Sequence, residues 1–314
     1  MALLGYIQVT RRCNQACRFC SNPPIEVDLS LEGGRRLVDD LVGRGYDGVI
    51  FTGGEPTLSP LLPRFIRYAL ARGIAPRIVT NGQLLGADGK LLGRLLRAGL
   101  RHVHLSLYSH RAEVVANLTG KEDSLAMALK ALDRIGTMKD RITLDVNIVI
   151  NHYNADHLDE HVRFLLERYP FIPHVVFNNL DPFMNRVAQN PDTVPALREF
   201  ELSLHRALTL LEERGRTFRV ERVPLCYMTA FAHASTETRK IVKEEDRVTH
   251  FLDEKGTVHQ TSFKHDKAEA CAVCTLTGIC AGLDGVGEGY SLEELYPVFV
   301  DPLPIVHKIL TNQS

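Results

Sequence analysis

Over roughly the first 180 residues, short β-branched or aliphatic runs alternate with stretches whose apolar residues recur at helical spacing, and this alternation constrains the fold more than any other feature. Six runs can be picked out: Leu4 to Val9, Gly48 to Thr52, Arg77 to Thr80, Val103 to Leu107, Ile142 to Ile150 and His174 to Phe177. Between them, sets such as Leu125, Leu129 and Leu132, or Leu158, Val162, Leu165 and Leu166, mark helical faces. Strands joined by crossover helices pair in parallel, so six units predict an α/β fold, a partial (β/α)6 TIM-like barrel. After about residue 185 the pattern changes. A Leu-rich helix (Leu197 to Leu211) is followed by Phe251-Leu252-Asp253 and Thr257-Val258-His259 around Glu254-Lys255-Gly256, which predicts a β-hairpin with Gly256 in its turn. The expected division is a barrel over residues 1–185 and a small C-terminal α+β extension over residues 186–314, packed closely because no linker separates them.

Composition narrows the function. The chain of 314 residues carries 37 basic against 38 acidic side chains, which lacks the excess of Lys and Arg that a nucleic-acid surface needs. No apolar run approaches the ~18 residues of a membrane span, and the first residues lack the charged start of a signal peptide. The expected location is the cytoplasm, with neither nucleic acid nor membrane as partner.

Strand periodicity separates two faces. Along Arg101 to Tyr108, His102, His104, Ser106 and Tyr108 alternate with Val103, Leu105 and Leu107. Along Ile142 to Asn151, Asp145, Asn147 and Asn151 alternate with Ile142, Leu144, Val146, Ile148 and Ile150. In a βα-repeat sheet, helices cover the aliphatic face, so the polar face points into the barrel. Packed barrel interiors are ordinarily apolar, and a polar lumen therefore predicts a ligand. His104 and Asp145 become the candidates for orienting substrate or moving a proton.

All seven cysteines fall into two sets. Cys13, Cys17 and Cys20 form Cys-x3-Cys-x2-Cys directly after the first strand, with no neighbouring fourth Cys or His. Structural zinc takes four protein ligands, whereas three thiolates suit an iron–sulfur cluster with one open iron. Cys226, Cys271, Cys274 and Cys280 make a second set of four, which suits a closed site holding either zinc or a [4Fe–4S] cluster.

On these residues the chain resembles the radical S-adenosylmethionine (SAM) enzymes. Their Cys-x3-Cys-x-aromatic-Cys loop corresponds to Cys13 to Cys20, with Phe19 in the aromatic slot, and their Gly-Gly-Glu-Pro motif to Gly53-Gly54-Glu55-Pro56 after the second run. Thr80-Asn81-Gly82 and Leu105-Ser106-Leu107 also match. The resemblance implies that Phe19, Gly53, Gly54, Glu55, Ser106 and Asn147 hold SAM on an open iron. It departs at Asn117-Leu118-Thr119-Gly120, where many relatives carry an Arg before the Thr-Gly pair. The C-terminal Cys-x2-Cys-x5-Cys resembles part of the SPASM extension, whose next cysteine is replaced here by Asp284; a shortened, Twitch-like unit with one auxiliary cluster is the better match.

The implied activity is reductive cleavage of SAM to methionine and a 5′-deoxyadenosyl radical, which abstracts hydrogen from a substrate. Implied cofactors are SAM and two [4Fe–4S] clusters, and the implied partner is an electron donor such as flavodoxin or ferredoxin. The expected substrate is a small molecule or biosynthetic intermediate; the alternative is a peptide, as in maturases of ribosomal peptides. Cys13 lies so near the start that no leader-binding domain is expected ahead of the barrel, which favours the former. A different class, a metal- or cluster-containing binding or electron-transfer protein, leaves Gly53-Gly54-Glu55 and the polar lumen without a purpose.

Overall fold

A computed structural model describes residues 3–22, 25–287 and 289–311. Nine strands form one sheet: β1 (Leu4–Thr10), β2 (Gly48–Gly53), β3 (Ala75–Thr80), β4 (His102–Ser106), β5 (Thr143–Val149), β6 (His174–Asn178), β7 (Thr217–Glu221), β8 (Arg247–His250) and β9 (Thr257–Gln260). Their order is β7-β6-β5-β4-β3-β2-β1-β8-β9. Every pairing is parallel except the hairpin of β8 with β9. The ladder does not close on itself, so the sheet is an open, partial TIM-like barrel. The six runs read from the sequence are β1 to β6, with ends displaced by two residues at most.

Two features lie beyond that reading. A seventh parallel strand, β7, follows the helix Leu197–Glu213 and pairs with β6. The hairpin turns at Gly256 (φ 54°) as expected, but β8 docks in parallel on β1 and so extends the barrel sheet. The sheet therefore runs across residue 185.

The aliphatic face lies outward under the helices: Val103, Leu105, Leu144, Val146 and Ile148 are completely or almost completely buried in one core. Each such side chain contributes about 1.5–3 kcal/mol on burial. The polar set faces inward, as the alternation predicts.

Side chains seal the open edge. Arg247 of β8 reaches across to Glu221 of β7, Nη1 to Oε1, at 2.7 Å. The helix Thr236–Lys243 joins the seam, with the backbone N–H of Arg222 donating to Glu237 Oε1 at 3.1 Å. Burial pushes the Glu221 carboxyl up, but Arg247 and Arg222 outweigh it and hold the group well below the usual range. Glu237 has the opposite fate: burial, then the neighbouring Glu221, push it up to about 7. No helix among the described residues is long and apolar enough to cross a membrane.

Candidate active site

Parallel βα sheets carry their ligand sites at the C-terminal ends of the strands. The cysteine loop leaves β1 at that end and is clamped from two sides by backbone hydrogen bonds. On one side Gly54 N donates to Thr10 O and Glu55 N to Arg12 O, both at 2.8 Å; on the other Ala16 N and Arg18 N donate to Thr119 O and Leu118 O, both at 2.9 Å. Gly53 and Gly54 are required by the first clamp. A Cβ on Gly53, whose φ is 131°, would lie 2.0 Å from Thr10 O, and one on Gly54 would lie 2.1 Å from Arg12 O. The Thr119-Gly120 segment that lacks the family's Arg thus serves here as the loop's second backbone partner.

Burial raises the pKa of all three thiols, and for Cys17 the neighbouring Cys20 and Cys13 raise it further. Thiols crowded in this way are poor thiolates until a positive centre joins them. Three thiolates with no fourth protein ligand in the loop suit a [4Fe–4S] cluster better than structural zinc, which takes four.

Glu55 is buried, with 1% exposure, and its carboxylate is largely engaged within the protein. Oε1 accepts from Thr57 N at 3.0 Å, from the Thr57 hydroxyl and from Thr80 Oγ1 at 2.7 Å; Oε2 accepts from Asn81 N at 2.8 Å. It ties the end of β2 to the end of β3. Asn81 passes the constraint on, donating through Nδ2 to Asn14 Oδ1 at 2.8 Å and lying 3.9 Å from Cys13 Sγ. Phe19 turns inward, packing edge-on to Tyr108 at 4.7 Å in a small apolar cluster with Leu118, Leu180 and Val187. Ser106 and Asn147 are register partners at the top of β4 and β5, half-buried on the lumen face.

His104 and Asp145 are brought together, as register partners one repeat below Ser106 and Asn147. They stand about 7 Å farther from the cysteine loop at ~3.3 Å per residue, on the lumen floor. Burial drops the His104 imidazole to about 3, so it is neutral at physiological pH. Two residues, one inside the loop and one at its root, escaped the sequence reading. Arg18 pairs with Asp192 at 2.6 Å and donates to Tyr153 at 3.0 Å and Asn117 at 3.2 Å, pinning the segment after β6 against the loop. Arg11, buried at the loop's root, pairs with Asp253 in the hairpin turn at 2.6 Å. Only the distance in sequence hid these partners, since nothing local marks them.

The second cysteine set also converges. Cys226, Cys271, Cys274 and Cys280 line one recess with Lys267, Leu276 and Tyr296. Burial, reinforced by Cys280 and Cys271, pushes Cys226 up to about 11. Asp284, where the SPASM pattern has a further cysteine, pairs with Arg222 at 3.1 Å and with His265 at 3.5 Å, so that position anchors the segment to the end of β7.

The family described as the Radical SAM superfamily matches residues 7–165. The chain is 32% identical over 165 residues to a PqqA peptide cyclase of Granulibacter bethesdensis, covering 50% of this chain and 42% of that protein. It is 29% identical over 229 residues to an Fe-coproporphyrin III synthase of Methanosarcina barkeri, covering 72% and 54%. The chain thus spans about half the length of the curated relatives it matches. Among solved structures it resembles Streptococcus suis SuiB bound to S-adenosylmethionine, with a TM-score of 0.65 over 95% of this chain and 76% of that one at 15% identity. It also resembles anSMEcpe with bound AdoMet and a Kp18Cys peptide, at 0.65 over 98% and 95% with 14% identity. At those identities the two structures show the fold alone.

Proposed function

The chain belongs to the radical SAM superfamily and is a radical SAM enzyme, and from that premise we propose that it cleaves SAM reductively and directs the resulting 5′-deoxyadenosyl radical at a C–H bond of a peptide held at the barrel mouth. The observation that carries the SAM site is the convergence, at one end of the sheet, of the Cys13–Cys20 loop with Gly53, Gly54, Ser106 and Asn147. Cys13, Cys17 and Cys20 would hold a [4Fe–4S] cluster, which would supply the electron for cleavage and an iron left free for the methionine end of SAM. Gly53 and Gly54 keep side chains out of the narrow approach, and Glu55 fixes that shelf through Asn81. Ser106 and Asn147 offer hydrogen bonds from the lumen side. Phe19 holds the loop down through Tyr108. His104 and Asp145, which the sequence put forward for orienting substrate or moving a proton, lie one strand repeat below this shelf and keep that role in the proposal.

The peptide reading rests on the likeness to PqqA peptide cyclase. The second reading, a small-molecule substrate, draws on the Fe-coproporphyrin III synthase relative, whose match extends over 72% of the chain. In both readings Cys226, Cys271, Cys274 and Cys280 hold an auxiliary [4Fe–4S] cluster in a Twitch-like unit within residues 186–314. A flavodoxin or ferredoxin delivers the electron. Anaerobic incubation with SAM and dithionite tests the core of the proposal: 5′-deoxyadenosine should form and should vanish when Cys13, Cys17 and Cys20 are changed to Ala. Its absence from the cluster-loaded wild type would overturn the reading. Deuterium transfer into 5′-deoxyadenosine from a labelled peptide or from a labelled tetrapyrrole then separates the two substrate classes.

A further inference from the structure

The lumen floor holds a second convergence of chemistry, built from none of the cysteines. The alternation of β4 puts His102 and His104 on the lumen face, and the β4–β5 register sets His104 opposite Asp145. His102 Nε2 lies 2.7 Å and His104 Nδ1 3.3 Å from the same oxygen, Asp145 Oδ2. All three donor atoms fall within 4.8 Å of one another. The two imidazoles stack with centroids 4.7 Å apart and planes 15° from parallel, so both rings turn an edge nitrogen to that carboxylate. His104 and Asp145 are 93% and 96% buried by their exposures of 7% and 4%.

A hydrogen-bonded plug is the plain alternative, and the donor set argues against it. The unpartnered His104 Nε2 is the ring nitrogen away from Asp145 and is not one of the three donor atoms. The donor set itself is that of a cation site: two imidazole nitrogens and a carboxylate oxygen suit zinc, iron(II) or cobalt(II), with three protein ligands and one position left open. Ligand atoms around such an ion, at ~2.0–2.1 Å each, stand about 3.3 Å apart in a tetrahedron, a spacing that the His104–Asp145 separation of 3.3 Å matches and the His102–Asp145 separation of 2.7 Å falls short of. Calcium or magnesium would demand more oxygen than one carboxylate supplies. Arg77, register partner of His102 on β3, adds positive charge to the wall, which coordination by the three donors must outweigh.

We infer that His102, His104 and Asp145 form a binding site for one zinc-class divalent cation on the floor of the barrel lumen, separate from both cysteine sets. The open coordination position would be taken by water or by a donor atom of a lumen ligand. The site does not depend on SAM cleavage, and its test reads metal rather than turnover.

The protein is first reconstituted anaerobically with iron and sulfide, so that the thiolates are occupied, and is then titrated with cobalt(II) and separately with zinc(II). Wild type should take up one further ion per chain, and the cobalt form should show visible ligand-field bands without a thiolate-to-cobalt charge-transfer band. Asp145→Asn and His104→Gln should each weaken that uptake at least about 10-fold, the smallest loss that even an outer-sphere partner of a metal site produces, while iron content stays the same. Zinc should raise the melting temperature of the wild type and not of the variants. Failure of the wild type to bind a further ion overturns the inference whether or not the variants fold. Equal affinity in wild type and both variants, or a thiolate band in the cobalt spectrum, also overturns it.

Discussion

Replacing Glu55 by Ala separates two roles that the Gly-Gly-Glu motif leaves merged. If the carboxylate serves only as a ligand to SAM, the variant folds normally and loses affinity by about 1–3 kcal/mol, the range for a charge-assisted hydrogen bond. The structure predicts a different result. Glu55 accepts from two buried backbone N–H groups, those of Thr57 and Asn81, and from the hydroxyls of Thr57 and Thr80. The hydroxyls can rotate to other acceptors, but the two N–H groups cannot. Stranding each costs about 1–3 kcal/mol, so Glu55→Ala should destabilise the cluster-free fold by about 2–6 kcal/mol. Relief from burying the carboxylate, whose pKa is raised by that burial, moves the value toward the lower end. The loosened Asn81 should also release Asn14 and Cys13 and so lower iron retention. Glu55→Gln keeps the volume but turns an NH2 toward one group of donors, and should fall between. Urea midpoints of the cluster-free proteins, read with SAM calorimetry on the loaded ones, decide the matter. An alanine variant with the wild-type midpoint and full iron content, but weakened SAM binding, would refute the structural role.

The same geometry makes three more expectations concrete. Gly54→Ala should abolish cluster retention while circular dichroism stays unchanged, because its Cβ would lie 2.1 Å from a backbone oxygen of the loop that must bind iron; wild-type iron content in this variant would count against the clamp. With two four-iron clusters the reconstituted chain should hold roughly eight irons, and Cys226→Ala should lose the auxiliary share while SAM cleavage without substrate persists. About four irons with one zinc in the wild type, or unaltered paramagnetic resonance of both clusters and unaltered cluster lifetime in the variant, would exclude Cys226 from an iron site. The raised carboxyl of Glu237 stabilises the fold below its unfolded value of about 4.3 and loses that contribution as pH rises through about 7. Urea midpoints should accordingly decline from pH 5 to 7 in the wild type and less so in Glu237→Gln; parallel slopes would rule this group out.

Much of the barrel was legible because β1 to β6 present an aliphatic face to helices, and that face dominates the local pattern. Strand β7 was not. Its Thr217, Arg219 and Glu221 alternate with only two apolar residues, Phe218 and Val220, so it reads as a polar surface segment. The charges make sense only once Arg247, on β8 beyond β1 at the other side of the sheet, arrives beside Glu221. Likewise the hairpin at Gly256 is a local event, whereas its docking on β1 depends on a long-range pairing, Tyr6 with Thr249 and Ile7 with His250.

The site divides along the same line. Spacing within a short loop identified the Cys13–Cys20 set, and alternation within a strand put His104, Ser106, Asp145 and Asn147 on one face. Alternation does not give register, and it is register that decides function here. One pairing, His104 with Asp145, gathers two imidazoles on a single carboxylate oxygen; the next, Ser106 with Asn147, forms the shelf nearer the cysteines. A slip of two residues would preserve every face and set either His104 opposite Asn147 or Ser106 opposite Asp145. Outside the two strands, Glu55 ties the ends of β2 and β3 together beside the cysteine loop, and Arg11 fastens that loop's root to the hairpin through Asp253. Like the register, the pairing of Arg11 with Asp253 joins residues too far apart in sequence for any local pattern to announce it.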